Sequence, residues 1–500
     1  MMTSIPVIVV TLLCKSLACG FEPSFFNDTG IVFRMTKPGA LVLNEETAQV
    51  IQAAFRHAEY PDITGEKSMH FLGKIAYGLT NIHVNELTIE NTEVDFKENV
   101  AIDIEIQNVS ASFKGTLSYG YVGAWWLKLI HYIDFEIDSS IDLQINIKLL
   151  CEEERVVVDT SDCYLTFHKL TLHLQGDKDP GWVKQLFTNF ISFTLKLVLK
   201  NQVCKEINYL SQILADFVQD TAANFLQDGD IGVDISLTSS PVIKANYVES
   251  HHKGLLLYKN YSSNFHDSAF TPSLLSESRM LYFWFSDHLL NSLVLAAFLD
   301  ERLELTITGE ELKDMFESEE LNPHQEAVQE IFQSVLYNDS LAKVWSLDPP
   351  QITLQPKGTV VKSSVAVELS VSAVGEEPPS VALYFETEVT ATIQASYVQK
   401  KLVLRLSDAT IKPKMLKCSP DIAVNDETLS QILEKIISVA GIPEVISRIE
   451  PTLTTLLNSK GLHMFEIRDA EIITKKGYFI IQLDFGFPTH LLIDFLKRTV

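Results

Sequence analysis

Alternation of apolar and polar residues is the feature that most limits how this chain can fold. Residues Ile133–Ile137 and Ile141–Leu149 alternate without a break, and isoleucines at 102, 104 and 106 are separated by Asp103 and Glu105. Successive side chains of a β-strand point to opposite faces, so each run predicts a strand with one apolar and one polar face, as in antiparallel sheets. Similar runs lie at 231–237, 365–371 and 478–485. The alternation therefore predicts antiparallel sheet in both halves of the chain.

Long apolar runs with helical spacing accompany these strands. They predict helices at 43–55, with Asn44 as its N-cap, and at 182–200, 203–226, 325–336 and 429–457. An apolar run at 280–299 is interrupted by Asp287, His288 and Asn291, which favours a strand followed by a buried helix over a membrane span. Long apolar helices need a covering partner, so the predicted fold class is α+β, with each twisted antiparallel sheet wrapped around a long helix.

The first 18 residues have the features of a secretory signal peptide. Ile5–Leu13 is an apolar run too short to span a bilayer, and Ser16–Ala18 supplies a cleavage site of small residues. We therefore expect a secreted, extracellular protein, in which N-x-S/T sequons are candidate glycosylation sites. The sequons begin at Asn27, Asn108, Asn260 and Asn338.

Cleavage after Ala18 leaves Cys19, Cys151, Cys163, Cys204 and Cys418. An odd number of cysteines leaves at least one thiol unpaired. No C-x-x-C spacing occurs, so the sequence predicts no metal site, no redox site and no cofactor.

The charge balance and the missing catalytic motifs exclude several functions. The chain has 65 acidic and 40 basic residues, a net charge of −25, whereas nucleic-acid binding needs a basic surplus. The G-x-S-x-G, H-E-x-x-H, P-loop and G-x-G-x-x-G motifs do not occur. Ser250 and His252 lie two apart on a strand and can touch, but no third group or oxyanion turn accompanies them, which favours a non-catalytic interpretation. His251 points the other way and is expected at the surface.

The last residues, 488–500, predict a short amphipathic helix. Leu491, Leu492, Phe495 and Leu496 share one side of a helical projection, and Asp494, Lys497 and Arg498 fall together. The pattern leaves two interpretations open. The helix is either packed permanently on the body, or it is a mobile cover for an apolar opening or a contact with a lipid surface.

Several longer segments carry a family resemblance. They are Tyr60–Lys67, Gln185–Lys196, Asp228–Leu237, Glu249–Gly254, Arg279–Ser286 and Asp484–Pro488. In these segments, and over nearly everything after the leader, the chain resembles the lipid-transfer and lipopolysaccharide-binding protein family. The tail helix resembles the branch of that family that transfers neutral lipid.

The resemblance implies an elongated boomerang of two β-barrels joined by a central sheet, with a tunnel through the apolar interior. The implied divisions are a signal peptide at 1–18, an N-terminal barrel at 19–227, a central sheet at 228–258 together with 473–487, a linker at 259–279, a C-terminal barrel at 280–472 and the C-terminal amphipathic helix at 488–500.

The resemblance also implies a function. A monomeric plasma protein would exchange cholesteryl ester, triglyceride and phospholipid between lipoprotein particles, without covalent chemistry. The implied tunnel residues are Phe33, Gln219, Ser250, His252, Phe283 and Phe285, and the implied gate is formed by Leu491, Leu492, Phe495 and Leu496. A disulfide between Cys163 and Cys204 is implied, with Cys19, Cys151 and Cys418 as free thiols. Asp220 and Thr221 stand where the family pattern has Thr followed by Arg, so a basic residue is missing from the polar group.

Elementary physics supports a carrier. A cholesteryl ester exposes on the order of several hundred Å² of apolar surface, which at about 25 cal/mol per Å² makes escape through water cost on the order of 10 kcal/mol. A tunnel lined by apolar side chains lowers that barrier. One alternative is a phospholipid transfer, lipopolysaccharide or anionic-lipid binding protein of the same fold, but sensing anionic lipid needs a basic face that the net charge does not favour. The remaining alternative is a neutral-lipid hydrolase. Such an enzyme is expected to carry a G-x-S-x-G motif, which does not occur in this sequence.

Overall fold

Antiparallel β-sheets make up most of the computed structural model, and helices pack against them. The structure describes residues 29–44, 47–69, 73–122, 128–175, 192–225, 230–259, 261–262, 270, 278–311, 340–371, 380–399, 401–418, 430, 434, 437–448, 450–451, 454, 466–486 and 493–495. Within these ranges the elements in chain order are β1 (Ile31–Thr36), α1 (Lys37–Asn44), α2 (Thr47–His57), β2 (Ile63–Met69), β3 (Gly73–Thr88), β4 (Asn91–Lys97), β5 (Ala101–Val122), β6 (Lys128–Glu152), β7 (Arg155–Leu174), α3 (Ser192–Phe225), β8 (Ile231–Asp234), β9 (Val242–Ile243), β10 (Tyr247–His252), β11 (Leu255–Tyr258), β12 (Tyr261–Ser262), β13 (Leu281–Ser286), α4 (Asp287–Leu299), β14 (Glu304–Thr308), β15 (Ser340–Ser346), β16 (Gln351–Gln355), β17 (Gly358–Val371), β18 (Ser380–Val398), β19 (Lys401–Cys418), β20 (Glu466–Lys475) and β21 (Tyr478–Gly486).

The N-terminal sheet is long and curled. Its strands follow the order β2-β3-β5-β6-β7, and β4 pairs with β5. Shifts of register between Ile106 and Val109 and between Ser140 and Ile141 mark irregularities of the kind that bend long strands. The alternating runs at 102–106, 133–137 and 141–149 lie in β5 and β6, so the predicted strands are confirmed.

The C-terminal sheet repeats this arrangement. Its strands follow the order β14-β15-β17-β18-β19, and β16 pairs with β17. The predicted run at 365–371 lies in β17. Each half of the chain therefore builds one six-stranded antiparallel sheet.

A third sheet joins the two halves, with the order β20-β21-β13-β1-β10-β9. The first half contributes β1 and the pair β9 and β10, and the second half contributes β13 and the pair β20 and β21. The order is mirrored about the contact between β1 and β13. In both halves the first strand is followed at once by a helix, α1 or α4, and then by a six-stranded sheet.

The implied boundaries placed residues 31–36 in the N-terminal barrel and residues 281–286 in the C-terminal barrel, whereas β1 and β13 both lie in the middle of this joining sheet. Alternation of apolar and polar residues identifies a strand but does not show which strands it pairs with. The partner of Arg34 across the sheet is Glu249, 215 residues away along the chain.

Helix α3 is the long helix around which the N-terminal sheet curls. Two helices were predicted here, at 182–200 and 203–226, and residues 182–191 and 226 lie outside the described ranges. The described parts form one helix of 34 residues, because no glycine or proline interrupts the chain between 192 and 225. Its apolar stripe is buried in the same core cluster as the inner residues of β3, β5 and β6. The stripe consists of Leu195, Leu199, Val203, Ile207 and Leu210.

The predicted helix at 43–55 is two helices, α1 and α2. Asn44 is the last residue of α1 rather than an N-cap, because its amide Nδ2 donates to the carbonyl oxygen of Thr92 at 3.0 Å and so fixes α1 to β4. The predicted helix at 325–336 lies outside the described residues. That at 429–457 is described in part, with a π-helical turn at Ile437–Gly441. The run at 280–299 forms β13 and α4, as predicted. No helix in the described ranges has the length and hydropathy needed to cross a membrane.

Candidate functional site

One face of the joining sheet carries a row of phenylalanine rings, which we call the phenylalanine face. Phe33 of β1 lies directly opposite Phe283 of β13, with ring centroids 5.2 Å apart. The ring of Phe285 is 6.2 Å from that of Phe283 and 5.0 Å from that of Phe479 in β21. Side chains two apart on a strand share a face, so antiparallel register aligns these rings across the sheet. The structure thus brings together three of the predicted tunnel residues.

The phenylalanine rings of the two central strands are more exposed than the residues next to them in sequence. In β1 and β13 alike, the phenylalanines are partly exposed, whereas the residues between them are buried. These buried residues include Arg34, Tyr282 and Trp284. A sheet normally buries its apolar face and exposes its polar one. Here Arg34 is buried while the phenylalanine rings stay partly exposed, although Leu281 and Leu483 of the same face are buried. The exposed parts of the rings are suited to contact an apolar partner.

The opposite face holds a buried charged cluster. Nε and Nη2 of Arg34 donate to Oε2 of Glu249 at 2.7 and 2.6 Å, and Nε2 of His251 donates to Oε1 at 2.8 Å. The Arg34 guanidinium also lies 3.9 Å from the ring centroid of Tyr247 and 5.1 Å from that of Trp284. Burial alone would raise the pKa of Glu249, but the hydrogen bond from His251 and the charge of Arg34 outweigh it and lower the pKa below its ordinary value.

His251 was expected at the surface, and that prediction is wrong. The residue is buried, and it lies opposite Val32 on the face where it hydrogen-bonds to Glu249. Phe270 lies within the predicted linker at 259–279, and its ring is 5.6 Å from that of Tyr478. The linker therefore packs on the body at this point.

Ser250 and His252 are the polar residues at the edge of the phenylalanine face. Ser250 lies opposite Phe33, and His252 lies opposite Ile31. Nδ1 of His252 is 2.8 Å from the carbonyl oxygen of Ile235, which can only accept, so Nδ1 carries the proton. Nε2 then accepts from Oγ of Ser250 at 2.8 Å. Burial lowers the pKa of His252, which keeps the imidazole neutral.

This Ser–His contact does not extend into a catalytic triad. The carboxylate nearest in sequence, Glu249, binds His251 on the other face of the sheet, and His252 is held by a backbone carbonyl instead. A triad needs a carboxylate that stabilises the charged imidazole. The geometry therefore serves to satisfy two polar groups beside an apolar surface.

The side-chain amide of Gln219, a further predicted tunnel residue, is hydrogen-bonded to a strand backbone. It lies on α3, where Oε1 accepts from the backbone N–H of Val156 at 2.8 Å and Nε2 donates to the carbonyl oxygen of Val156 at 2.9 Å. The amide thus pairs with the edge of β7. Asp220, which stands in place of the expected threonine, forms an ion pair with Arg155 at 3.0 Å.

Phe495 is the one predicted gate residue that the structure describes. Its ring is buried, with its centroid 6.0 Å from that of Phe217 in α3. Its neighbours Ile493 and Asp494 are exposed. Leu491, Leu492 and Leu496 lie outside the described residues. The tail therefore docks on α3 through an aromatic contact, in agreement with the packed interpretation.

The predicted disulfide between Cys163 of β7 and Cys204 of α3 is present. Cys151 is also disulfide-bonded, so the expectation that it is a free thiol is wrong. Its partner lies outside the described side chains, and cysteine spacing alone does not determine pairing. Of the sequons, Asn108 is described and exposed, whereas Asn27, Asn260 and Asn338 are not described.

Sequence reasoning missed several residues of the two faces. Phe479 and Ile481 continue the phenylalanine face into β21, and their alternating run at 478–485 was recognised only as a strand. Arg34 and Glu249 were missed as well. The available signal was a charged residue in the middle of each of the strands Ile31–Thr36 and Tyr247–His252.

Comparison with known proteins identifies relatives over the whole length. The models of the LBP / BPI / CETP family match in both parts, the N-terminal domain over residues 40–217 and the C-terminal domain over residues 226–485. A cholesteryl ester transfer protein of Gallus gallus is 63% identical over 493 residues, which cover 99% of this chain and 97% of that protein. One of Homo sapiens is 52% identical over 496 residues, which cover 99% of each. A crystal structure of lipopolysaccharide binding protein covers 92% of this chain and 99% of its own, with a TM-score of 0.53 at 18% identity, which shows a shared fold.

Proposed function

The chain belongs to the LBP / BPI / CETP family, and on that premise we propose that it is a secreted carrier that exchanges cholesteryl ester and triglyceride, together with phospholipid, between lipoprotein particles. The observation that carries the proposal is the accessible row of phenylalanine rings on the joining sheet, opposite a buried charged cluster. Relatives that share more than half of the sequence bear the name cholesteryl ester transfer protein.

The phenylalanine face offers what a neutral lipid needs. Transfer of an ester through water costs on the order of 10 kcal/mol at about 25 cal/mol per Å², whereas contact with rings and aliphatic side chains replaces water at little cost. Dispersion contacts do not distinguish closely related apolar cargoes, so both cholesteryl ester and triglyceride fit the same surface. Transfer breaks no bond, and the protein is not an enzyme.

The phenylalanine face runs from one half of the chain to the other. At one end, Phe33 and Phe283 pack in a cluster with Val42 and Leu43 of α1. At the other end, Phe285 packs with Leu289 and Ala296 of α4. We assign Phe33, Phe283, Phe285, Ser250 and His252 to the lining of a tunnel through the two barrels of an elongated molecule. The tail helix, with Phe495 as its anchor, would gate the tunnel at the N-terminal half.

The decisive experiment follows lipid and its hydrolysis together. Donor particles carrying cholesteryl ester labelled in the acyl chain are mixed with acceptor particles and the purified protein, and label is counted as ester and as free fatty acid. We expect labelled ester to appear in the acceptor with no release of fatty acid. Mass spectrometry of the purified protein should find bound neutral lipid.

The variant Ser250→Ala separates the carrier from the hydrolase. It removes the hydroxyl that a hydrolase would use. We expect the rate of ester transfer to change by less than about two-fold. The hydroxyl contributes one hydrogen bond, worth about 0.5–1.5 kcal/mol, and this contribution is mainly to local stability. Fatty acid released in step with transfer, and abolished by Ser250→Ala, would decide for a hydrolase.

A further inference from the structure

Helix α3 is attached along the free edge of β7 by a row of side-chain contacts, which we call the seam. Among the residues that the structure describes, β7 is the last strand of the N-terminal sheet, and one of its edges pairs with no described strand. Unpaired strand edges attract other chains unless they are covered. The seam covers this edge between Arg155 and Cys163, using residues of α3 between Cys204 and Asp220.

The seam contacts run in order along both elements. Cys163 is bonded to Cys204, and Thr160 donates its backbone N–H to Oδ1 of Asn208 at 3.0 Å. Val156 then pairs with the amide of Gln219. Arg155 finally donates to the carboxylates of Asp216 and Asp220 at 3.3 and 3.0 Å.

The lengths of the two elements agree. Eight residues of strand span about 26 Å, and sixteen residues of helix span about 24 Å, so strand and helix remain side by side from Cys163 to Arg155. One end of the seam is covalent. The other end rests on ion pairs whose side chains are exposed.

The packing of α3 changes along the same direction. Leu195, Leu199, Val203, Ile207 and Leu210 are all 0–3% exposed. Beyond Leu210, none of the residues of α3 whose side chains the structure describes is buried, including the apolar Ile213, Leu214 and Phe217. We call residues 211–225 the lip. A helix segment whose apolar side chains are only partly buried has a lower local stability than a fully buried segment, and polar contacts with β7 help to hold the lip in place.

The lip adjoins the phenylalanine face. Helix α3 contacts β8, whose residue Ile231 packs in the same cluster as Ile31 and Phe285. On the strand side, Glu154 precedes the seam, and its carbonyl oxygen accepts from the N–H of Leu237 at 2.7 Å. Leu237 in turn forms a bridge with His252. The end of the lip and the start of the seam are thus both linked to strands that carry this face and its polar edge.

We propose that the lip swings away from β7, about the disulfide-anchored part of α3, and opens a lateral port through which neutral lipid reaches the phenylalanine face. This inference rests on the proposed function. Gln219 is then a positioning residue that closes the port, rather than a residue that contacts the cargo. Arg155 sets how readily the port opens.

A cross-link tests the port directly. The double variant Arg155→Cys with Asp220→Cys is purified and treated with a short bifunctional maleimide, which ties the lip to β7 across the exposed end of the seam. We expect cholesteryl ester transfer to fall at least ten-fold after the reaction, with an unchanged far-ultraviolet circular dichroism spectrum. The matched control is Asp220→Cys alone, treated in the same way, which should keep its transfer rate.

Charge reversal tests the same port in the opposite direction. Asp216→Lys with Asp220→Lys replaces attraction to Arg155 by repulsion, and exposed pairs of this kind shift an equilibrium by about two- to five-fold. We expect ester transfer to become about two- to five-fold faster, and to return towards the original rate when Arg155→Glu is added. A merely structural seam predicts slower transfer in the first variant.

Failure of the port differs from failure of the proposed function. If the cross-linked double variant transfers ester as fast as the unreacted one, or if charge reversal leaves transfer unchanged or slower, the port is wrong while the carrier function stands. If the unmodified protein transfers no ester, the proposed function itself is wrong.

Discussion

Arg34 and Glu249 face each other across β1 and β10, on the buried side of the sheet that joins the two halves, with both side chains less than a tenth exposed. Two nitrogens of Arg34 donate to the same carboxylate oxygen of Glu249, and the other oxygen accepts from His251. Charges buried in this way are costly to separate, because the remaining partner is left without compensation.

We expect Arg34→Met to lower the free energy of unfolding by about 3–5 kcal/mol, because it leaves the Glu249 carboxylate buried beside apolar neighbours. Replacing both residues by methionine should recover most of the loss. The matched control is Lys37→Met, which breaks the exposed pair with Asp95 and should cost no more than about 1 kcal/mol. Urea unfolding measures all three variants. Equal losses for Arg34→Met and Lys37→Met would contradict the prediction.

We expect Phe283→Asp to deplete the neutral lipid that remains bound through purification, because a carboxylate on the phenylalanine face cannot be desolvated cheaply. Phe285→Asp should act in the same way. Phe193→Asp is the matched control, since this ring lies on α3 and is 72% exposed. Mass spectrometry of extracted lipid gives the result. Full lipid loading in both variants would place the cargo elsewhere.

Phe495→Ala should reduce cholesteryl ester transfer about ten-fold or more, with less effect on phospholipid exchange. The Phe495 ring is buried, and burial of a phenylalanine ring is worth about 1.5–3 kcal/mol. Its loss should therefore weaken docking of the tail about ten-fold or more, since about 1.4 kcal/mol is a factor of ten in an equilibrium constant. Ile493→Ala is the control in the same helix, because Ile493 is 46% exposed. Deletion of 489–500 should reproduce the Phe495→Ala result while the body stays folded. The gating role fails if the deletion leaves ester transfer intact.

Acid should destabilise the joining sheet through His252. Burial lowers the pKa of His252 in the folded protein, whereas a histidine in the unfolded chain titrates near pH 6.5, so the unfolded state takes up the proton first as the pH falls. The stability contributed by the neutral imidazole is complete above about pH 6.5 and is lost below it, by at most about 1.4 kcal/mol per pH unit.

The dependence of stability on pH is measured by thermal unfolding between about pH 7.5 and about pH 5. This range includes the value of about pH 6.5 near which a histidine of the unfolded chain titrates. His252→Leu should flatten the dependence on pH, although it lowers stability at the upper end by removing two hydrogen bonds. The control is His83→Leu, whose side chain is exposed and which should keep the slope of the unmodified protein. Parallel curves for the unmodified protein and His252→Leu would show that another group is responsible.

The strands could be predicted from the sequence, but their exposure could not. Alternation in Ile31–Thr36 separates Phe33 and Met35 from Val32 and Arg34, and nothing in the pattern says which set is covered. The ordinary rule assigns the arginine to water, whereas here the rings of Tyr247 and Trp284 lie over its guanidinium. That covering comes from segments distant in the sequence.

The role of Gln219 shows the same limit. Its position on a long apolar helix was predictable, and the family resemblance placed it in a polar group with Ser250 and His252. What the sequence does not show is that its amide pairs with the backbone of Val156, because the last strand of a sheet has unpaired backbone groups and a nearby primary amide can satisfy both. Only the strand order reveals that β7 is an edge.

The mirrored sheet also determines the order in which the molecule can be completed during synthesis. Residues Ile31–Thr36 leave the ribosome among the first, yet their two neighbours are Tyr247–His252 and Leu281–Ser286, and the sheet is finished only by Tyr478–Gly486 near the end of translation. The nascent chain must therefore carry an unfinished apolar strand through most of its own production. Until the second half emerges, this segment has no partner strand on either side and is open to aggregation.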